Sequence, residues 1–164
     1  MPFVHIRVAG KEITPAHVMH LQKEATRLMA TIMHKKAELT AVLVERSEHA
    51  DWSIGGQSVP VAGHFDVKVT AGTNTAEEKA AFVAHANKLL REVLGPELPV
   101  ATYVVIHEIG ADAWGYDGRT QEARRLSVDP VKRSTVEPSV MRRTGVPEML
   151  MAVVRLITFQ PRTQ

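Results

Sequence analysis

Residues 3–8 alternate in a way that separates Val4, Ile6 and Val8 from His5 and Arg7. A period of two in a β-branched run predicts a strand with one buried face. The period then lengthens. Thr14 offers an oxygen to cap a helix and Pro15 occupies a first-turn position, where its missing N–H costs nothing. Val18, Leu21, Ala25, Leu28, Met29, Ile32 and Met33 follow at helical spacing on one face. A second apolar strand is predicted over residues 39–45.

The same plan recurs at an offset of 61–62 residues, and such repeats decide the fold. Ile6 and Val8 correspond to Val67 and Val69, Gly10 to Gly72, and Thr14 to Thr75. Residues 41–45 correspond to residues 103–107, and Trp52 recurs as Trp114. In the second copy Phe82, Ala86, Leu89, Leu90 and Val93 form the helical stripe. Gly95-Pro96 stops that helix, and residues 99–108 give the last strand. A crossover helix joining two strands implies parallel pairing. The fold class is therefore α/β. Two tandem βαβ units form a four-stranded sheet with two helices on one face, and the bare face calls for self-association.

The organisation follows from the repeat. Residues 2–56 form the first unit, 57–63 a linker, 64–122 the second unit, and 123–164 a basic, proline-containing extension. Prolines at 130, 138, 147 and 161 forbid a long helix in the extension, and residues 149–159 are apolar enough for a strand or short helix.

Composition adds little except locally. The chain has 164 residues, 20 Lys+Arg against 18 Asp+Glu, and no cysteine. Absence of cysteine excludes disulfide scaffolds, thiol catalysis and cysteine-based zinc sites. Residues 119–164 carry nine Lys/Arg against four Asp/Glu, so the basic excess lies at the end. No apolar run is long enough for a membrane span, and no charged-then-apolar leader opens the sequence. A cytoplasmic protein without a membrane partner is expected. The arginine pairs at 124–125 and 142–143 read as a solvated arm, so no nucleic-acid partner is expected.

The chemically distinctive residue is Pro2. Removal of Met1 leaves it with a free secondary amine, and an α-amino group ordinarily titrates near 7.7–8.0. At a strand start in an apolar pocket the charged form is disfavoured, which leaves a neutral base near pH 7. The eight histidines read as surface groups, because His17 and His20 find no third ligand at helical spacing. His107-Glu108 reads as a structural pair at a strand end, and Trp52 and Trp114 as hairpin anchors.

Pro2, the two βαβ units, Asp51-Trp52-Ser53-Ile54-Gly55-Gly56, and residues 106–108 leading to 111–116 together resemble the tautomerase superfamily. The resemblance is to fused 4-oxalocrotonate tautomerase-like proteins and covers residues 2 to about 122. It implies a homotrimer, no metal or organic cofactor, and keto–enol proton transfer on 2-oxo acids with the amino-terminal proline as base. Phenylenolpyruvate-like and 2-hydroxymuconate-like enols are the implied substrates.

Carried across residue by residue, the resemblance makes Pro2 catalytic, whereas the second unit starts at Gly63, inside the chain. The aromatic pocket wall, which in the family comes from the partner subunit, aligns with Trp52 and Trp114, and Trp114 is the expected neighbour of Pro2. The substrate-binding arginine after the first strand aligns near Lys11. The second-strand arginine aligns with Ala41 and Tyr103, of which Tyr103 can donate a hydrogen bond. Arg7, Arg46 or Lys68 of a neighbouring chain are further sources of charge. The competing readings are hydratase, decarboxylase or dehalogenase chemistry on a small unsaturated or oxo acid, and a non-enzymatic trimeric binding protein. Residues 67–73 lack the arginines those related enzymes carry, which favours tautomerisation.

Overall fold

The computed structural model describes residues 1–10, 12–48 and 51–128. Lys11 and the apolar stretch 149–159 lie outside the described residues. The elements run β1 (Phe3–Ala9), α1 (Pro15–Thr31), a short 3-10 turn (Ala37–Leu39), β2 (Ala41–Ser47), β3 (Ser53–Ile54) and β4 (Gln57–Ser58). They continue with β5 (Ala62–Thr70), α2 (Ala76–Leu94), β6 (Tyr103–Ile109), β7 (Gly115–Tyr116), β8 (Arg119–Thr120) and α3 (Gln121–Val128). The main sheet has the order β2-β1-β5-β6, and β3–β4 and β7–β8 are separate hairpins.

Each βαβ unit pairs its strands in parallel, β1 with β2 and β5 with β6. The units join by antiparallel pairing of β1 with β5, Phe3 opposite Lys68 and Ala9 opposite Ala62. That antiparallel pair has a consequence for function. It brings the start of the first unit to the same end of the sheet as the end of the second.

The core lies between the sheet and the two helices. Val4, Ile6, Val8, Phe65, Val67 and Val69 are fully or almost fully buried, as the alternation requires, and meet Leu21, Ala25, Leu28, Met29, Phe82, Ala86 and Leu90. Phe65 and Phe82 pack edge to face at 5.7 Å, a favourable aromatic geometry. Thr14 and Thr75 both cap their helices in capping boxes, with His17 and Glu78 as the reciprocal partners.

Several boundaries differ from the sequence reading. The stretch 57–63 is part of a hairpin and part of β5, because Val61, Ala62 and Gly63 are buried under α2. The second strands start later than residues 39 and 99, since the 3-10 turn and residues 99–102 precede them. The division between residues 122 and 123 falls inside α3. That helix forms because Thr120 Oγ1 accepts from the Ala123 amide at 3.1 Å, and the first proline of the extension comes only at 130.

The opposite sheet face carries Phe3, His5, Arg7, Leu43, Glu45, His64, Asp66, Lys68, Tyr103 and His107. It is organised by ion pairs across strands. Glu45 meets His5 at 2.6 Å and Arg7 at 3.1 Å, while Asp66 meets His107 at 2.8 Å and Lys68 at 2.9 Å. Burial works against ionisation of Asp66, yet Lys68 and His107 hold its carboxyl below the usual range. Burial pushes the neighbouring His64 imidazole down, and Asp66 only partly opposes this.

Candidate active site at the start of the chain

Pro2 is buried, and its carbonyl accepts from the Ala41 amide at 3.3 Å. This bond fixes the residue between the beginnings of β1 and β2. The chain leaves α1 through His34, whose φ of 53° places it in the left-handed region, and the Lys35 amide closes the turn on the Met29 carbonyl at 2.9 Å. The result is a wall of His34, Lys35 and Lys36 beside Pro2. Lys35 Nζ donates to Thr73 Oγ1 at 2.8 Å, and His34 pairs with Glu78 at 3.3 Å.

The facing wall comes from the far end of the second unit. The Gln121 amide donates to the Trp114 carbonyl at 3.0 Å and the Glu122 amide to the Ala111 carbonyl at 2.9 Å, which pins α3 against its hairpin. Gln121 Nε2 then donates to the Met1 carbonyl at 3.5 Å. Arg124 lies over the Tyr116 ring with its Cζ 3.7 Å from the centroid and donates from Nη2 to the Tyr116 carbonyl at 2.8 Å.

Between these walls is a cavity of about 550 Å³. It is lined by Met1, Pro2, the His34-Lys35-Lys36 wall, Leu39, Tyr116, Gln121, Arg124 and Arg125. That lining contains four Lys/Arg side chains and no Asp or Glu. An amino group at the start of the chain, here that of Met1, is pushed below its ordinary value by burial, and further by Lys35 and Arg124. Burial also lowers the Lys35 ammonium, against the pull of Glu78 and Glu108. A small anion beside a weakly basic amine is what this arrangement can hold.

The expected residues fall in different places. Pro2 lines the cavity. Within one chain the aromatic wall is Tyr116, which Arg124 clamps in position, and Trp114 lines an adjoining concavity along the β7–β8 hairpin; the expectation of Trp114 beside Pro2 concerns a partner subunit. Tyr103 is 69% exposed and faces a separate concavity with Trp52 and His64, at the opposite end of the sheet. The proposed auxiliary cations are engaged within the chain. Arg7 pairs with Glu45, Lys68 with Asp66, and Arg46 donates to the Ile13 carbonyl at 3.1 Å. Lys35 and Tyr116 are not site candidates in the sequence, and Arg124, read there as part of a solvated arm, is instead packed on Tyr116. The available signals were the Lys-Lys pair just after the first helix and the Arg-Arg pair just after the second hairpin.

The profile of the family described as "Tautomerase enzyme" matches residues 64–124. A curated relative, "Probable tautomerase K2" of Dickeya dadantii (strain 3937), is 34% identical over 59 residues, which is 36% of this chain and 88% of that protein. Among solved structures, a fused 4-OT wild-type symmetric trimer superposes with a TM-score of 0.65 at 20% identity, covering 74% of this chain and 98% of the other. Pt0534 inactivated by 2-oxo-3-pentynoate gives a TM-score of 0.67 at 18% identity, with coverage of 74% and 98%.

Proposed function

This chain belongs to the tautomerase family, and from that premise we propose that Pro2, freed by removal of Met1, is the general base that moves a proton within a small enol or 2-oxo acid. The observation that carries the reading is the cavity itself. The chain-start amine sits in a partly desolvated wall beside Lys35 and Arg124, with no carboxylate in the lining.

The chemistry follows from that placement. The neutral amine takes a proton from the enol hydroxyl or an allylic carbon and becomes a secondary ammonium. It then returns the proton to another carbon of the same molecule, so atoms balance and no co-reactant is consumed. A well-placed proton transfer of this kind contributes roughly 10²–10⁴-fold. Nearby cations serve twice, by keeping the amine neutral and by stabilising the enolate that develops. Phenylenolpyruvate-like and 2-hydroxymuconate-like acids fit this description. Hydration or dehalogenation asks for an acidic residue to activate water, and the described cavity lining offers none.

The uncovered sheet face supports a homotrimer. Leu43 and Tyr103 are exposed there at 47% and 69%, beside rows of paired charges. A solved fold neighbour is described as a symmetric trimer. Sedimentation at micromolar concentration is expected to give a trimer, and a stable monomer would overturn that part.

Two measurements test the base. Mass spectrometry of the purified protein is expected to show a chain beginning at Pro2. The acid limb of kcat/KM against pH is expected below the ordinary range of an α-amino group, since burial, Lys35 and Arg124 already lower the Met1 amine at the same corner. A retained Met1 in fully active protein would end the proline mechanism.

A further inference from the structure

We propose that Arg124, carried on α3, binds the carboxylate of the substrate, so that acid recognition sits on a helix after the second hairpin rather than on the sheet. The proposal deepens the reading above and rests on it for the identity of the reaction.

The sheet has no cation to give this site. The second-strand positions are Ala41 and Tyr103, and Arg7, Arg46 and Lys68 are held by Glu45, the Ile13 carbonyl and Asp66. On the cavity wall, Arg125 pairs with Glu122 at 2.8 Å, Lys35 is tied to Thr73, and Lys36 is an exposed, flexible point charge that cannot grip a carboxylate with two parallel donors. Arg124 differs from all three. Its plane is fixed by the Tyr116 ring and by the Tyr116 carbonyl. Its acidic neighbour, Asp117, is 3.4 Å away with a side chain 88% exposed, a weak and solvated pairing.

Among the described residues Nη1 meets no acceptor, and Nε is buried without one. A guanidinium with donors left over in a partly buried wall lacks a hydrogen-bond acceptor. A carboxylate meeting the guanidinium end-on, with one oxygen on Nη1 and the other sharing Nη2 in place of the solvated Asp117, supplies that acceptor.

Position completes the case. Gln121 stands one helical turn before Arg124 and donates to the Met1 carbonyl, so one helix spans both the anion receptor and the chain start. A carboxylate on Arg124 therefore lies next to the amine. It also offsets the charge of Arg124, so the acid limb of kcat is expected at higher pH than that of kcat/KM, which reports the free enzyme.

The experiment uses 3-phenylpropionate and its amide, neither of which is a 2-oxo acid. In titrations of the full-length protein, the acid is expected to bind at least about tenfold more tightly than the amide. Arg124→Gln and Arg124→Met are expected to erase the preference, and Arg124→Lys to keep part of it. With an enol substrate, Arg124→Gln is expected to raise KM roughly 10- to 100-fold and to change kcat less. Should these variants fail to fold, the wild-type Arg124 guanidinium resonances decide the matter, because the acid shifts them and the amide does not. A wild type without the preference, unmoved resonances, or Arg124→Gln with the preference intact overturns the proposal. Binding needs no turnover, so a failure of Pro2 as base leaves this result readable.

Discussion

The two units place comparable corners at opposite ends of the sheet, and the corners have diverged. At the Pro2 corner the turn after α1 brings His34, Lys35 and Lys36, and the facing hairpin and α3 bring Tyr116 and Arg124. At the other corner the turn after α2 is Leu94, Gly95, Pro96 and Glu97, facing Gly10, Pro60 and Val61 around a smaller hollow of about 340 Å³. That lining has one acid and no Lys or Arg. The decisive difference is covalent. Gly63 is joined to Ala62 by a peptide bond, and an amide nitrogen is not a base. The repeat thus keeps the backbone plan at both ends, while the proposed general base is available only at the Pro2 corner. The family profile matches residues 64–124, the half whose own corner lacks the amine.

The largest expected effect breaks the comparison directly. Adding one residue before Pro2 converts its amine to an amide, and kcat/KM is expected to fall roughly 10²–10⁴-fold. Glu97→Gln at the other corner is expected to leave turnover within about twofold, as surface changes generally do. Equal losses at both corners would show that they do not differ in function.

Next is a difference in stability between corresponding glycines. Gly10 has φ +97°, and a Cβ there would sit 1.9 Å from the Pro60 carbonyl oxygen, so Gly10→Ala is expected to cost about 3 kcal/mol or more. Gly72 has φ +70° with open space around it, and Gly72→Ala is expected to cost only about 1 kcal/mol. Urea unfolding of the two variants measures the gap.

Lys35→Met sharpens the electrostatic side. The Lys35 charge lowers the chain-start amine, so its removal raises the amine toward the ordinary value. Less of the amine is then neutral under mildly acidic conditions. Activity is expected to drop more at pH 6 than at pH 9, where the amine is neutral in both proteins and only the lost enolate stabilisation remains. The smallest effects belong to the caps. Thr14→Ala and Thr75→Ala are each expected to cost about 1 kcal/mol in thermal unfolding, alike in both units because both caps are the same device.

Local patterns in the sequence are enough to determine the elements. Alternation at residues 3–8 and 65–69, the helical stripes ending at Met33 and Val93, the two threonine caps and the tryptophan-marked hairpins each depend on residues a few positions apart. The sequence also singled out Pro2, because the proposed base needs only a proline that removal of Met1 would expose. The company Pro2 keeps was decided by the tertiary structure. Lys35 arrives through a left-handed turn, and Tyr116 and Arg124 arrive because β1 runs antiparallel to β5. That pairing returns the end of the second unit to the start of the first, more than a hundred residues away along the chain. No local period encodes which ring of a hairpin faces a cavity. Within one chain Tyr116 is held at the cavity by the Arg124 guanidinium eight residues on, and only the antiparallel pairing of β1 with β5 carries that local pair to Pro2.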